Sequence, residues 1–77
     1  MNKDIFNQEL ADILEIDFND LNAEIELDNN NWNSLSIVAI IALLDEQFYI
    51  SIDGDKLKNC RNVGELWKLI DQVIENK

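Results

Sequence analysis

The sequence predicts an all-α domain, a four-helix bundle with a long first connection and a short third helix. Three observations carry that expectation. The 77 residues include no proline and only two glycines, so turn-forming residues are scarce. Their hydrophobic fraction is 47%, enough for a packed core and too much for a disordered chain. Finally, the apolar residues of three segments recur at helical spacing.

The first helix is expected over residues 3–16, where Ile5, Phe6, Leu10, Ile13 and Leu14 share one face and Asp4, Glu9, Asp12 and Glu15 lie elsewhere. Residues 17–33, "DFNDLNAEIELDNNNWN", lose that period and fill with Asn and Asp, which compete for backbone hydrogen bonds and favour turns. They read as a loop pinned by Phe18, Leu21, Ile25 and Leu27, and a loop this long in a small domain is commonly functional.

The second helix is expected from Ser34 to Phe48, with Asn33 as its N-cap and apolar residues nearly all round. It is the central element. Ile50 and Ile52 alternate as a strand would, but no second strand is present to pair with them, and a short helical turn over residues 53–58 is the better reading. The last helix opens at Asn62, with Glu65 three residues on to complete a capping-box-like arrangement. Val63, Leu66, Trp67, Ile70, Val73 and Ile74 supply its apolar face.

A chain of this length buries only about 60% of its unfolded surface, so residues 1–77 are expected to form one small domain with a simple core; the chain is expected to be a monomer. Six Lys and Arg against 16 Asp and Glu give a net charge of −10. That balance disfavours nucleic acid and anionic lipid, and points to basic protein surfaces as partners. Nine of the acids and one lysine fall in residues 1–28, leaving that third at −8 and the remainder at −2.

One cysteine, Cys60, forms no internal disulfide, and no signal-peptide pattern precedes the first amphipathic segment, so a reducing cytoplasm is expected. The longest apolar run, residues 37–44, is too short to span a bilayer, and no membrane insertion is expected. Histidine is absent, which removes the commonest general base and metal ligand. Asp53 and Asp55 of "IDGD" have too few oxygen ligands after them for a calcium site, and no metal is expected. The chain is not expected to be an enzyme.

Ser34 reads in two ways. A serine ahead of an apolar run is ordinarily a cap or first-turn residue. It is also a hydroxyl placed after a long loop at the tip of the central helix, in an acidic chain with no catalytic groups of its own.

On the stretch "WNSLS", residues 32–36, followed by "LLDEQFYISI" and "NVGELWKLI", the chain resembles the acyl carrier protein family. It is closest in pattern to stand-alone bacterial carriers in which a tryptophan precedes Asp-Ser-Leu. The three-residue motif is weak, but the ordered spacing extends over nearly the whole chain. The resemblance implies an acyl-carrier-type bundle in which Ser34 carries 4′-phosphopantetheine, with Asn33, Leu35 and Trp32 around it. The arm's thiol would hold an acyl group as a thioester. A phosphodiester there would sit at the positive end of the second helix, favoured by about 0.3–1 kcal/mol.

The implied partners are a phosphopantetheinyl transferase, acyl-loading enzymes, and acyltransferases or synthases with basic surfaces. Asn33 stands where the family has aspartate, so the charge that a basic transferase would pair with is missing. The family presents its second helix to partners; the matching positions are Ser36, Ile37, Ala39, Asp45 and Glu46. With only Asp45 and Glu46 charged, a dedicated partner that reads a more apolar helix is expected, steered by the acidic N-terminal third. For Val38, Ile41 and Leu44 a core role is the expectation.

The family's acyl cleft maps to Val38, Leu44, Ile52, Leu57, Cys60 and Leu66. Leu57 and Leu66 exceed the alanines common there, and an overfilled interior costs about 1–3 kcal/mol, so short or polar cargo is expected. Cys60 reads as a small buried hydrophobe and Trp32 as a loop anchor. Three other readings compete with the carrier. They are an unmodified carrier-like interaction module, an acidic mimic of nucleic acid and, weakest for want of a base, a hydrolase.

Overall fold

The computed structural model describes residues 3–76. The element order is α1 (Asp4–Leu14), a single 3₁₀ turn (Phe18–Asp20), α2 (Ser34–Phe48), α3 (Gly54–Lys58) and α4 (Val63–Glu75). This is the expected all-α architecture, with its long first connection and short third helix.

In α1 the buried stripe is Phe6, Leu10, Ala11 and Leu14. Ile5 is 66% exposed, contrary to expectation, because it lies about 100° around the helix from Phe6, away from the centre of that stripe. The helix also stops earlier than residue 16. Glu15 turns left-handed at φ 60°, its N–H donates to the Asp12 carbonyl, and the Ile16 N–H donates to the Ala11 carbonyl. That pair of bonds is a Schellman closure, here formed without glycine.

The loop is held more tightly than a run of Asn and Asp suggests. Asp17 and Asn22 each accept a backbone N–H two residues on, and Leu27 is buried. Phe18 is 44% exposed and does not pin the loop to the core as expected. The loop is instead zipped by its backbone to the start of α4. Leu27 N–H donates to Arg61 O, Val63 N–H to Ile25 O and Gly64 N–H to Ala23 O, at 2.9–3.0 Å, around an isolated antiparallel bridge between Glu26 and Asn62. Gly64 permits this closeness: a Cβ there would lie 3.1 Å from the Ala23 Cβ and 3.2 Å from its carbonyl oxygen.

Helix α2 starts and ends where expected, and packs Ile37, Ile40, Leu44 and Phe48 inward. The Phe6 and Phe48 rings meet with centroids 5.8 Å apart at 56°, which joins α1 to α2. Ile50 and Ile52 are buried in the extended link to α3, and Asp53 caps α3 by accepting from Asp55 N–H. Helix α4 is capped as expected at one end of its box: Asn62 Oδ1 accepts from Glu65 N–H at 2.8 Å. The reciprocal bond is displaced, since Glu65 Oε1 accepts from Arg61 N–H rather than from Asn62. Trp67 is half-buried, and its indole N–H donates to Asn7 Oδ1 at 2.9 Å. With the Lys3–Asp71 ion pair, it ties α4 to α1.

Candidate functional site

The site is built where the loop enters α2. Asn33 is extended, and its Oδ1 accepts the Ser36 N–H at 3.1 Å, which satisfies one of the first-turn donors that no helical carbonyl can reach. Ser36 is 8% exposed. Its hydroxyl donates to the Asn31 carbonyl at 3.0 Å and lies 3.4 Å from Asn33 Oδ1. Asn31 is fixed in turn, its side chain accepting from Asp28 N–H and donating to Glu26 O.

Ser34 is thereby relieved of the capping role. Asn33 caps the helix, Ser36 locks the loop to it, and Ser34 is the exposed first residue of α2. Its hydroxyl makes no hydrogen bond among the described residues, and the Ser34 and Leu35 N–H groups beside it have no partner there either. No acidic residue occupies the first turn. A free hydroxyl next to unpaired backbone donors, at the positive end of a 15-residue helix, suits a phosphodiester.

Trp32 fixes the approach to this point from the other side. It is 4% exposed, and its indole N–H donates to the Leu57 carbonyl of α3 at 2.8 Å. The anchoring role expected of it is the one its burial describes. Leu35, by contrast, is 83% exposed.

The remaining positions divide. Asp45 and Glu46 are exposed on the far end of α2, and Ala39 is half-buried. Ile37 and Ser36 are buried, so neither offers its side chain to a partner. An apolar helix folds inward along one face, and these two residues lie on that face. Leu44, Leu57 and Leu66 are fully buried, Ile52 and Cys60 nearly so, all within one packed core. Val38 is 64% exposed. It joins neither the core nor a cleft, which corrects its expected place; Ile41 is half-buried.

The interior where a cleft was expected is filled by Leu57 and Leu66. A depression of about 310 Å³ lies at the surface between α3 and α4, lined by Lys56, Asn59, Cys60, Glu65 and Leu69. The Cys60 thiol is pushed above its ordinary value, first by burial and then by the Glu65 carboxylate, so at neutral pH it is a protonated, weakly reactive group. Its Sγ lies 3.5 Å from the Lys56 carbonyl. Asp53 serves as a helix cap. Among the described residues, no three His, Cys, Asp or Glu side chains gather to hold a metal, and no helix is long and apolar enough to cross a membrane.

What the sequence reading missed is the lock formed by Asn31 and Ser36. Its signal was present in the S-x-S spacing, which puts one serine at the exposed tip and the second serine two residues further into the first turn, where its short hydroxyl can turn back to the loop. Comparison with curated proteins and with solved structures gives no significant match. A protein-family model described as "Phosphopantetheine attachment site" matches residues 5–70, and so takes in the loop, the serine and all of α2 and α3. The chain belongs to the phosphopantetheine attachment-site family, whose domains are non-catalytic carriers of 4′-phosphopantetheine.

Proposed function

We propose that the chain is an acyl carrier protein: one carrier domain that shuttles acyl intermediates as thioesters on a 4′-phosphopantetheine arm at Ser34. The observation that supports this most is the division of labour at the helix tip, where Asn33 and Ser36 are committed to structure and the Ser34 hydroxyl is exposed and unengaged. The serine needs no activating base within the chain, because the chemistry of attachment belongs to a phosphopantetheinyl transferase. This chain's part is to hold the hydroxyl out and keep the loop from covering it.

The cargo is short or polar. Leu57 and Leu66 are fully buried, and seating a long acyl chain among them would overfill a close-packed interior. The partners are the transferase and the acyl-loading and acyltransferase or synthase enzymes of a specialised pathway, steered at long range by the acidic N-terminal third. An unmodified interaction module is the second reading. Asn33 favours it, since the charge that a basic transferase would pair with is absent.

The test is peptide-level mass spectrometry of the protein purified from cells that make it. The arm is expected on the peptide that contains Ser34. A fully unmodified peptide in cells with an active transferase would favour the second reading.

A further inference from the structure

Asparagine is a thermolabile residue, and its loss is intramolecular: the main-chain nitrogen of the next residue attacks the side-chain carbon Cγ, and ammonia leaves. Three things govern that step. They are whether the nitrogen is already in a hydrogen bond, whether the departing side-chain NH₂ is held, and how bulky the next side chain is.

Among the asparagines of residues 3–75, Asn33 alone is free on the first two counts together. The Ser34 N–H has no partner among the described residues, and Asn33 Nδ2 donates to none of them, its side chain being engaged through Oδ1. Asn62 holds the same capping position on α4 and makes the natural contrast. The N–H after it, on β-branched Val63, donates to Ile25 O at 3.0 Å. Elsewhere the following N–H is likewise bonded, as after Asn31 (to Asp28 O) and Asn59 (to Leu57 O), or the side chain itself is held, as Asn22 Nδ2 is by Asp20 O.

Three further features of the helix tip favour the step at Asn33. Its Oδ1 accepts the Ser36 N–H at 3.1 Å, which polarises the carbonyl and stabilises the negative charge that attack places on this oxygen. The nucleophile is a deprotonated amide nitrogen at the positive end of α2, where negative charge is favoured. With Asn33 ψ at −176°, the Ser34 nitrogen is gauche to the Asn33 Cβ, nearer to ring closure than a helical or a strand backbone would bring it.

We infer that Asn33 is a self-modifying site, converted through a cyclic imide with Ser34 into aspartate and isoaspartate. The bond from Ser34 nitrogen to Asn33 Cγ forms as the Cγ–Nδ2 bond breaks, and the ammonia carries off the Ser34 amide proton. Water then opens the ring and is the one co-reactant. Opening at Cγ leaves aspartate; opening at the main-chain carbonyl leaves isoaspartate, with a methylene added to the backbone ahead of Ser34. The aspartate product gains the negative charge missing beside the attachment serine, so the chain becomes a better transferase substrate with age. That consequence rests on the carrier reading, whereas the conversion itself does not.

The experiment stores the purified full chain at physiological temperature, at neutral and at alkaline pH, without transferase. Peptide mass spectrometry follows the amide-to-acid change at every asparagine, and electron-transfer fragmentation separates aspartate from isoaspartate. Asn33 is expected to convert first, faster at alkaline pH, and about tenfold faster than Asn62, whose following N–H must first leave its hydrogen bond. Ion exchange should show a form one charge more negative than the −10 chain, and Asn33→Gln, whose longer side chain closes a ring slowly, should lack it. The inference is overturned if Asn33 keeps its amide, if Asn62 keeps pace with it, or if Asn33 converts only in denaturant. The separated forms are then given a promiscuous transferase and coenzyme A, and the aspartate form is expected to gain the arm faster than the asparagine form; equal rates would overturn the consequence. Failure to convert leaves the Ser34 assignment intact, and a chain that converts but never gains an arm counts against the carrier reading alone.

Discussion

The hydroxyl of Ser36 donates to the main-chain carbonyl of Asn31 at 3.0 Å, and by doing so ties the last turn of the loop to the first turn of α2. The bond closes over residues 32–35, the segment that holds both the cap Asn33 and Ser34. Its consequence is positional: the loop is held back, and the hydroxyl at residue 34 faces solvent. Around it, the side chains of Asn33 and Trp32 are both engaged with the protein.

Asn33 separates the capping contribution from the charge contribution at this tip. Asn33→Ala removes the acceptor for Ser36 N–H and is expected to cost about 1 kcal/mol in urea denaturation. Asn33→Asp keeps the acceptor and adds a negative charge to the helix N-terminus, a gain of about 0.3–1 kcal/mol. The same aspartate variant is expected to be modified faster than wild type by a promiscuous transferase. Equal rates would remove the role assigned here to the missing charge.

Leu66 limits what the bundle can hold. Leu66→Ala in the fully buried position is expected to cost about 2–5 kcal/mol and to leave a cavity in the core. On the acylated holo chain, the variant should slow hydroxylamine cleavage of a long-chain thioester relative to wild type, because the chain can now withdraw inside. No protection in the variant, or strong protection in wild type, would contradict the short-cargo reading.

Cys60 gives a pH dependence whose sign is fixed by its environment. Its folded-state value lies above the ordinary 9.0, chiefly through burial. Above pH 9 the unfolded chain releases this proton while the folded chain retains it, so the thiol's contribution to stability falls as pH rises through that range. Wild type should therefore lose stability faster than Cys60→Ala between neutral and alkaline pH. Identical slopes would show that the thiol is not held back by burial.

Gly64 marks the crossing of the loop over α4. Gly64→Ala places a methyl 3.2 Å from the Ala23 carbonyl oxygen, a main-chain atom tied by its bond to Gly64 N–H. The expected loss is about 1–3 kcal/mol, although alanine is the better helix former. A variant as stable as wild type would mean that the loop gives way without cost.

The elements that were legible in the sequence were those with local causes. Asn33 and Asn62 were readable as caps because an Asx side chain satisfies donors two or three residues on, and α2 and α4 began where those caps said; the cap at Asp53 emerged only from the structure. The facing of α2 was not legible. A helix apolar nearly all round gives no contrast between its sides, so Val38 looked like core and Ile37 like surface, and the structure reverses both. The pairing of residues 23–27 with 61–64 was hidden for a different reason: it is made by backbone groups far apart in sequence and leaves no side-chain pattern. At the site, the ordered motif singled out Ser34, while the lock through Ser36 depended on the loop's path.

Intact mass spectrometry after treatment with a promiscuous phosphopantetheinyl transferase and coenzyme A, applied to wild type, Ser34→Ala and Ser36→Ala, tests the account most directly. Wild type and Ser36→Ala are expected to gain one phosphopantetheine and Ser34→Ala none. An unmodified wild type, or an arm that persists in Ser34→Ala, would contradict it.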